Sequence, residues 1–212
     1  MKINNFDAVK GNAFIIAEIG NNHNGSYSSA IEMIDQAIFA GANCVKFQMR
    51  TMDEVYRQRS IDGSGEDLGT EYVVDLLKRF ELSKEEHKKL SEYCSDKGIT
   101  YLCTPWDSSS LDFLENLSVP AYKVASADLT NIPLIELLIQ TKKPLILSTG
   151  MSTSDEIKFT ARILDAAEAE YVFLHCNSTY PAPVEDINLS WIHELKKIHS
   201  DVGYSGHERG IN

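Results

Sequence analysis

Two lysines stand inside strand-like apolar runs: Lys46 in Cys44-Val45-Lys46-Phe47-Gln48, and Lys123 in Ala121-Tyr122-Lys123-Val124-Ala125-Ser126. Lysine is seldom buried without a partner, so both positions suit a polar interior that grips an anion or holds carboxylates. Either one alone is also compatible with a lysine snorkelling from a strand end. Glu18 closes another apolar run and opens Glu18-Ile19-Gly20-Asn21-Asn22-His23-Asn24-Gly25. A carboxylate there can act as a base, bind hydroxyls, or pair with one of the lysines. Leu147-Ser148-Thr149-Gly150-Met151 leaves hydroxyls and backbone N–H groups around a glycine, just before Ser152-Thr153-Ser154. That chemistry suits phosphate or carboxylate, although serine in such a place also simply caps a helix. His207 follows Ser205 by two residues in Gly203-Tyr204-Ser205-Gly206-His207-Glu208. It could offer a neutral imidazole to a divalent metal, or be an ordinary hydrogen-bonded histidine. In the stretch from His175 to Pro183, Ser178 and Tyr180 could face a cavity and donate hydrogen bonds, or belong to a plain turn.

These residues sit where strands hand over to helices. Seven short apolar segments recur: Phe14 to Ala17, Asn43 to Gln48, Thr100 to Cys103, Ala121 to Ala125, Pro144 to Ser148, Tyr171 to His175 and Val202 to Tyr204. Amphipathic patterns lie between them at Ser28 to Ala40, Ser83 to Lys97, Ile132 to Thr141, Ser154 to Ala167 and Asn188 to Ser200. Strands alternating with helices predict a parallel sheet covered by helices. Ser83 with Glu86 three residues on has capping-box form, and Lys97-Gly98 suits a helix C-terminus. The connection from Arg50 to Thr70, with Gly63, Gly65 and Gly69, reads as a long rim loop. The pattern fits an open doubly wound sheet or a (β/α)8 barrel short of its last unit. No Gly-x-Gly-x-x-Gly follows the first strand, which weakens the dinucleotide-binding version.

Composition narrows the function. The chain has 212 residues, 43% hydrophobic and 24% charged, and one core is the default expectation. A formal charge of -11 argues against nucleic acid and anionic membrane surfaces as partners. Cys44, Cys94, Cys103 and Cys176 lack Cys-x-x-Cys spacing and read as reduced core residues. Residues 1–12 lack the apolar stretch of a signal peptide, and no run approaches the ~20 apolar residues of a membrane span. A cytoplasmic location is the expectation.

Taken in order, the Glu18 to Gly25 segment, Val45-Lys46-Phe47-Gln48, Thr104-Pro105-Trp106, Tyr122 to Ser126, Leu147 to Met151, His175 to Pro183 and Gly203 to Glu208 closely resemble the N-acetylneuraminate (sialic acid) synthase family. The resemblance runs from Phe14 to Gly210. It implies a (β/α)8 TIM barrel, with about seven of its eight strands in residues 1–212 as a single incomplete catalytic domain. It also implies condensation of phosphoenolpyruvate with an N-acetylated aldose, N-acetylmannosamine or a related amino sugar, to a nine-carbon 2-keto acid and phosphate. By position, Lys46, Thr104, Lys123, Ser126, Ser148 and Ser205, assisted by Ser178, would hold the phosphate and carboxylate of phosphoenolpyruvate. Glu18, Gln48, Asp128 and Tyr180 would face the sugar, with Glu18, Lys46, Lys123 and Asp128 the catalytic set. His207 would ligate a divalent metal, Mn2+ or Mg2+, and the full-length family member would be a homodimer.

The sequence departs from the family pattern at Asp128, where some members carry Glu, and at Ser178, where some carry Asn. The family's second metal-binding histidine, last barrel strand and C-terminal antifreeze-like domain are expected beyond residue 212. Two other readings stay open. One is a Schiff-base aldolase using Lys123 or Lys46; the other is a non-catalytic barrel fragment that binds a sugar or a partner chain.

Overall fold

The computed structural model describes residues 2–4, 6–7, 12–56 and 70–210. Its contacts gather the chain into two compact units, Lys10–Val119 and the combination of Met1–Val9 with Pro120–Asn212. The second unit begins with an antiparallel pair, β1 (Lys2–Ile3) and β2 (Phe6–Asp7), that sequence periodicity is too short to announce. Ile3 is fully buried, and the Lys2 backbone N–H donates to Glu170 at 3.0 Å.

The unit Lys10–Val119 holds a parallel sheet of β3 (Ile16–Gly20), β4 (Cys44–Met49) and β5 (Thr100–Pro105). Its helices are α1 (Tyr27–Phe39), α2 (Met52–Val55), α3 (Thr70–Phe80), α4 (Lys84–Lys97) and α5 (Ser108–Asn116). The caps explain where helices start. Ser83 and Glu86 form the expected capping box on α4, which ends at Gly98 with φ 75°, a left-handed conformation that glycine adopts without strain. Ser26 caps α1 and Asp107 caps α5 by accepting from the backbone N–H three residues on. The core is built on Phe47, Leu102, Tyr101, Leu90 and Ile34.

The other unit holds β6 (Tyr122–Val124), β7 (Leu145–Ser148), β8 (Tyr171–Cys176) and β9 (Val202–Ser205) in one parallel sheet. Between them lie α6 (Ile132–Gln140), α7 (Ser154–Ala166) and α8 (Trp191–Ile198). Thr153 and Glu156 form a second capping box at the start of α7. Tyr122, Phe173, Leu145, Ile135 and Leu138 are its large buried side chains.

All seven anticipated strands are present and every pairing among them is parallel. The α/β class stands, but the described strands form sheets of two, three and four and show no closed barrel. The five anticipated helices appear within a few residues of their expected ends, whereas α2, α3 and α5 were not anticipated. The supposed rim loop from Arg50 to Thr70 contains α2, and residues 57–69 of it lie outside the described residues. Among the described residues, no helix is long and apolar enough to cross a membrane.

Candidate functional site

In the unit Lys10–Val119, β4 puts Lys46 and Gln48 on one face, since alternate residues of a strand share a side. Lys46 is 5% exposed, and its ammonium donates to Glu18 Oε2 at 2.8 Å, Thr104 Oγ1 at 2.9 Å and the Phe47 carbonyl at 3.4 Å. All three donors of the ammonium are thereby engaged. Glu18 reaches Lys46 from β3, whose pairing with β4 shifts between Glu18 and Gly20. Gly20 takes φ 53° there, and a Cβ on it would stand 3.0 Å from Glu18 Oε1 and 3.4 Å from Gln48 Nε2. The ion pair anticipated for Glu18 is thus present, beside Gln48 and Thr104.

In the other unit, the Lys123 ammonium donates to Ser148 Oγ at 2.6 Å and to the Val124 carbonyl at 2.8 Å. Lys123 and Ser148 are both buried. The two lysines repeat one geometry. Lys46 lies opposite Leu102 and bonds Thr104, two residues further along β5. Lys123 lies opposite Ile146 and bonds Ser148, two residues further along β7. In both cases an ammonium can only donate, so the hydroxyl oxygen accepts and its own proton is left to point at another acceptor. Each pair thus leaves a hydroxyl proton to offer, and at Lys46 the Glu18 carboxylate already takes one of the ammonium's donors.

Beyond β7 the Gly150 backbone N–H donates to Ser126 Oγ at 3.1 Å, and Gly150 packs directly on Ser178 and the Cys176 carbonyl. Ser126, Gly150 and Ser178 are therefore neighbours. Asp128 sits at the end of a 3-10 turn, Ser126–Asp128, where Asn131 Nδ2 donates to its Oδ1 at 3.0 Å. Its Oδ2 is buried without a hydrogen-bond partner, and burial raises its pKa, with the Asn131 bond working in the other direction. Ser205 ends β9 opposite Cys176 and is half-buried.

His207 is held at both ring nitrogens. Nδ1 faces the Asn177 carbonyl at 2.5 Å and Nε2 faces the Tyr180 hydroxyl at 2.6 Å, the two rings stacked with centroids 3.9 Å apart. A carbonyl only accepts, so Nδ1 carries a proton, and Nε2 is the nitrogen through which the ring would meet a metal. Metal-ligating histidines are oriented by such a second-nitrogen bond to a carbonyl. His207 fits one ligand position, with the Tyr180 hydroxyl occupying it. Among the described residues no group of three or more His, Cys, Asp or Glu is gathered to complete a metal site.

In the unit Lys10–Val119, one polar cluster beside Gln48 was not anticipated. Arg50 is 6% exposed, donates from Nη2 to Gln48 Oε1 at 2.6 Å, lies 3.8 Å from Glu81 Oε2, and stacks over Trp106 at 4.8 Å. Burial raises the Glu81 pKa, against the lowering effect of its bond from the Arg50 backbone N–H. The available signal was the alternation Lys46, Gln48, Arg50, which continues one polar face beyond the strand. The four cysteines are free and buried, as anticipated.

The NeuB family model matches residues 33–212. The chain is 35% identical over 203 residues to the N-acetylneuraminate-9-phosphate synthase of Homo sapiens, covering 93% of this chain and 56% of that protein. It is 36% identical over 215 residues to the N,N'-diacetyllegionaminic acid synthase of Legionella pneumophila, covering 93% and 58%. The solved N-acetylneuraminic acid synthetase of Leptospira borgpetersenii superposes with a TM-score of 0.84 at 35% identity, covering 96% of this chain and 71% of that one. The chain thus spans little more than half the length of the curated relatives it matches. With the family model matching residues 33–212, well over half of its length, this chain belongs to the NeuB family.

Proposed function

We propose that the protein condenses phosphoenolpyruvate with an N-acetylated amino sugar to a nine-carbon 2-keto sugar acid, releasing phosphate. The observation that carries this reading is the repeated lysine–hydroxyl pair, Lys46 with Thr104 and Lys123 with Ser148. Each brings a lysine and a hydroxyl together at a buried position, chemistry that suits an anion, and phosphoenolpyruvate carries a carboxylate and a phosphate. An acidic protein of charge -11 needs such local positive charge to bind that substrate at all. The relatives' names support the product class, since they are synthases of sialic, legionaminic and pseudaminic acids.

In the proposed reaction the vinyl carbon of the donor attacks the open-chain aldehyde of the sugar, and water adds to the resulting oxocarbenium carbon. The tetrahedral intermediate then expels phosphate by C–O cleavage. Lys46, Thr104, Lys123, Ser126, Ser148, Ser178 and Ser205 hold the anionic groups, and positioned charge of this kind is usually the largest catalytic contribution. Glu18, Gln48, Asp128 and Tyr180 serve the sugar; Asp128, whose raised pKa reflects burial, is suited to moving a proton. His207 would hold Mn2+ or Mg2+ through Nε2, with Tyr180 giving way, and the metal would supply Lewis-acid polarisation of the aldehyde. A closed (β/α)8 barrel and a homodimer belong to this proposal for the full-length protein.

The test is phosphate release from phosphoenolpyruvate against N-acetylmannosamine, its 6-phosphate and diacetamido hexoses, with Mn2+, Mg2+ or EDTA, on the full-length protein. Metal-dependent release with one of these sugars is expected. Metal-independent turnover trapped by borohydride would instead establish the Schiff-base aldolase.

A further inference from the structure

Arg50 carries an oddity that the proposed reaction leaves unexplained. A buried guanidinium is costly unless its donors are satisfied, yet Nε and Nη1 of Arg50 have no hydrogen-bond partner among the described residues. Its one short side-chain bond runs from Nη2 to Gln48 Oε1 at 2.6 Å. The rest of its setting holds it in place: Trp106 lies under the guanidinium, and Glu81 takes the Arg50 backbone N–H at 3.1 Å.

That bond has a chemical consequence. An amide side chain can present either end to a neighbour, but a guanidinium has no acceptor, so Gln48 must turn its oxygen toward Arg50. Nε2 then lies on the other side, beside Gly20 and the Glu18 carboxylate. No described residue accepts a hydrogen bond from it.

We infer that Arg50 is a positioning residue that locks Gln48 as a donor, so that Gln48 Nε2 and Glu18 together recognise a sugar hydroxyl that accepts from one and donates to the other. The inference rests on the functional reading above. It adds which way the Gln48 amide faces, what fixes it, and the kind of group that pairs with it. A hydroxyl is both donor and acceptor, and an amide free to flip would lose half of that discrimination.

The experiment compares Arg50→Met, Arg50→Lys and Gln48→Glu in the full-length protein. Arg50→Met is expected to raise the KM for the amino sugar about tenfold, while kcat at saturating sugar and the KM for phosphoenolpyruvate stay within about twofold. Arg50→Lys, which still donates, restores part of the loss, and Gln48→Glu, which offers only acceptors, reproduces it. The Gln48 side-chain amide, followed by 1H–15N NMR in the absence of substrate, is expected to lose its dispersed, slowly exchanging pair of signals in Arg50→Met. A uniform rise in both KM values, or unchanged Gln48 amide signals in Arg50→Met, overturns the inference. Should the wild-type protein use no amino sugar, the functional reading falls, while the NMR comparison still decides whether Arg50 positions Gln48.

Discussion

Gly150 and Ser178 occupy space that only a glycine leaves open: a Cβ on residue 150 would meet Ser178 Oγ at 2.6 Å and the Cys176 carbonyl oxygen at 2.8 Å. The contact draws the loop after β7 against the segment after β8. Gly150→Ala is therefore expected to destabilise the protein by about 1–3 kcal/mol, since overpacking forces neighbours to shift. Urea denaturation measures it. Adding Ser178→Ala should recover only part of the loss, because the Cys176 backbone remains in the way.

Lys123→Ala removes a buried ammonium whose bonds go to Ser148 and the Val124 carbonyl, whereas Lys97→Ala removes one at the exposed end of α4, near Asp35. In the full-length protein, the first should lower kcat/KM by about 100-fold or more and the second by less than about twofold. Ser148→Ala should fall between them. Equal effects of the two lysine changes would contradict the site assignment.

Asp128 gives a stability test whose sign follows from burial. Its folded pKa is raised, so it favours the fold most when protonated, and that contribution is lost as pH rises through the folded value. Asp128→Asn keeps the shape and removes the charge. The variant should melt higher than wild type at pH 7, with the gap closing as pH approaches the ordinary aspartate range near ~4, while phosphate release falls. Thermal melts across that range, paired with the activity assay, check both halves.

His87 works in the opposite sense. It is buried on α4, bonds the Tyr101 hydroxyl at 2.8 Å through Nδ1, and burial lowers its pKa to about 4. A histidine kept neutral by the fold contributes stability above its unfolded value of 6.5, and that contribution drains away as pH falls toward the folded value. His23, buried beside Phe47 and accepting from the Gly25 backbone N–H at Nδ1, is shifted the same way, mainly by burial. Unfolding free energy should thus decline between about pH 6.5 and about pH 4, by roughly 3 kcal/mol from His87 alone. His87→Gln should flatten that acid limb in chemical denaturation.

The strands were legible because parallel strands covered on both faces read as nearly unbroken apolar runs, as in Leu145–Ser148 and Tyr171–Cys176. The site residues were legible by type, but their partners were not. Nothing in the order of residues says that Lys46 meets Thr104 fifty-eight positions away, or that Glu81 backs Arg50, because both depend on sheet register and helix placement. The start of α5 could have been found, since Asp107 with Ser110 three residues on has the form of an N-cap. The helix α3, which begins where the expected Arg50 to Thr70 loop ends, was also within reach, since Thr70–Phe80 is amphipathic.

The diagonal between each lysine and its hydroxyl partner makes each pair an alignment gauge for its own sheet. A slip of one residue between β4 and β5, or between β6 and β7, would swing the hydroxyl to the opposite face while leaving the helices and most apolar burial intact. Under the proposed function, a misthreaded molecule would look native by circular dichroism yet bind inorganic phosphate less well, so retention on a phosphate resin is expected to separate correctly assembled protein from its near misses.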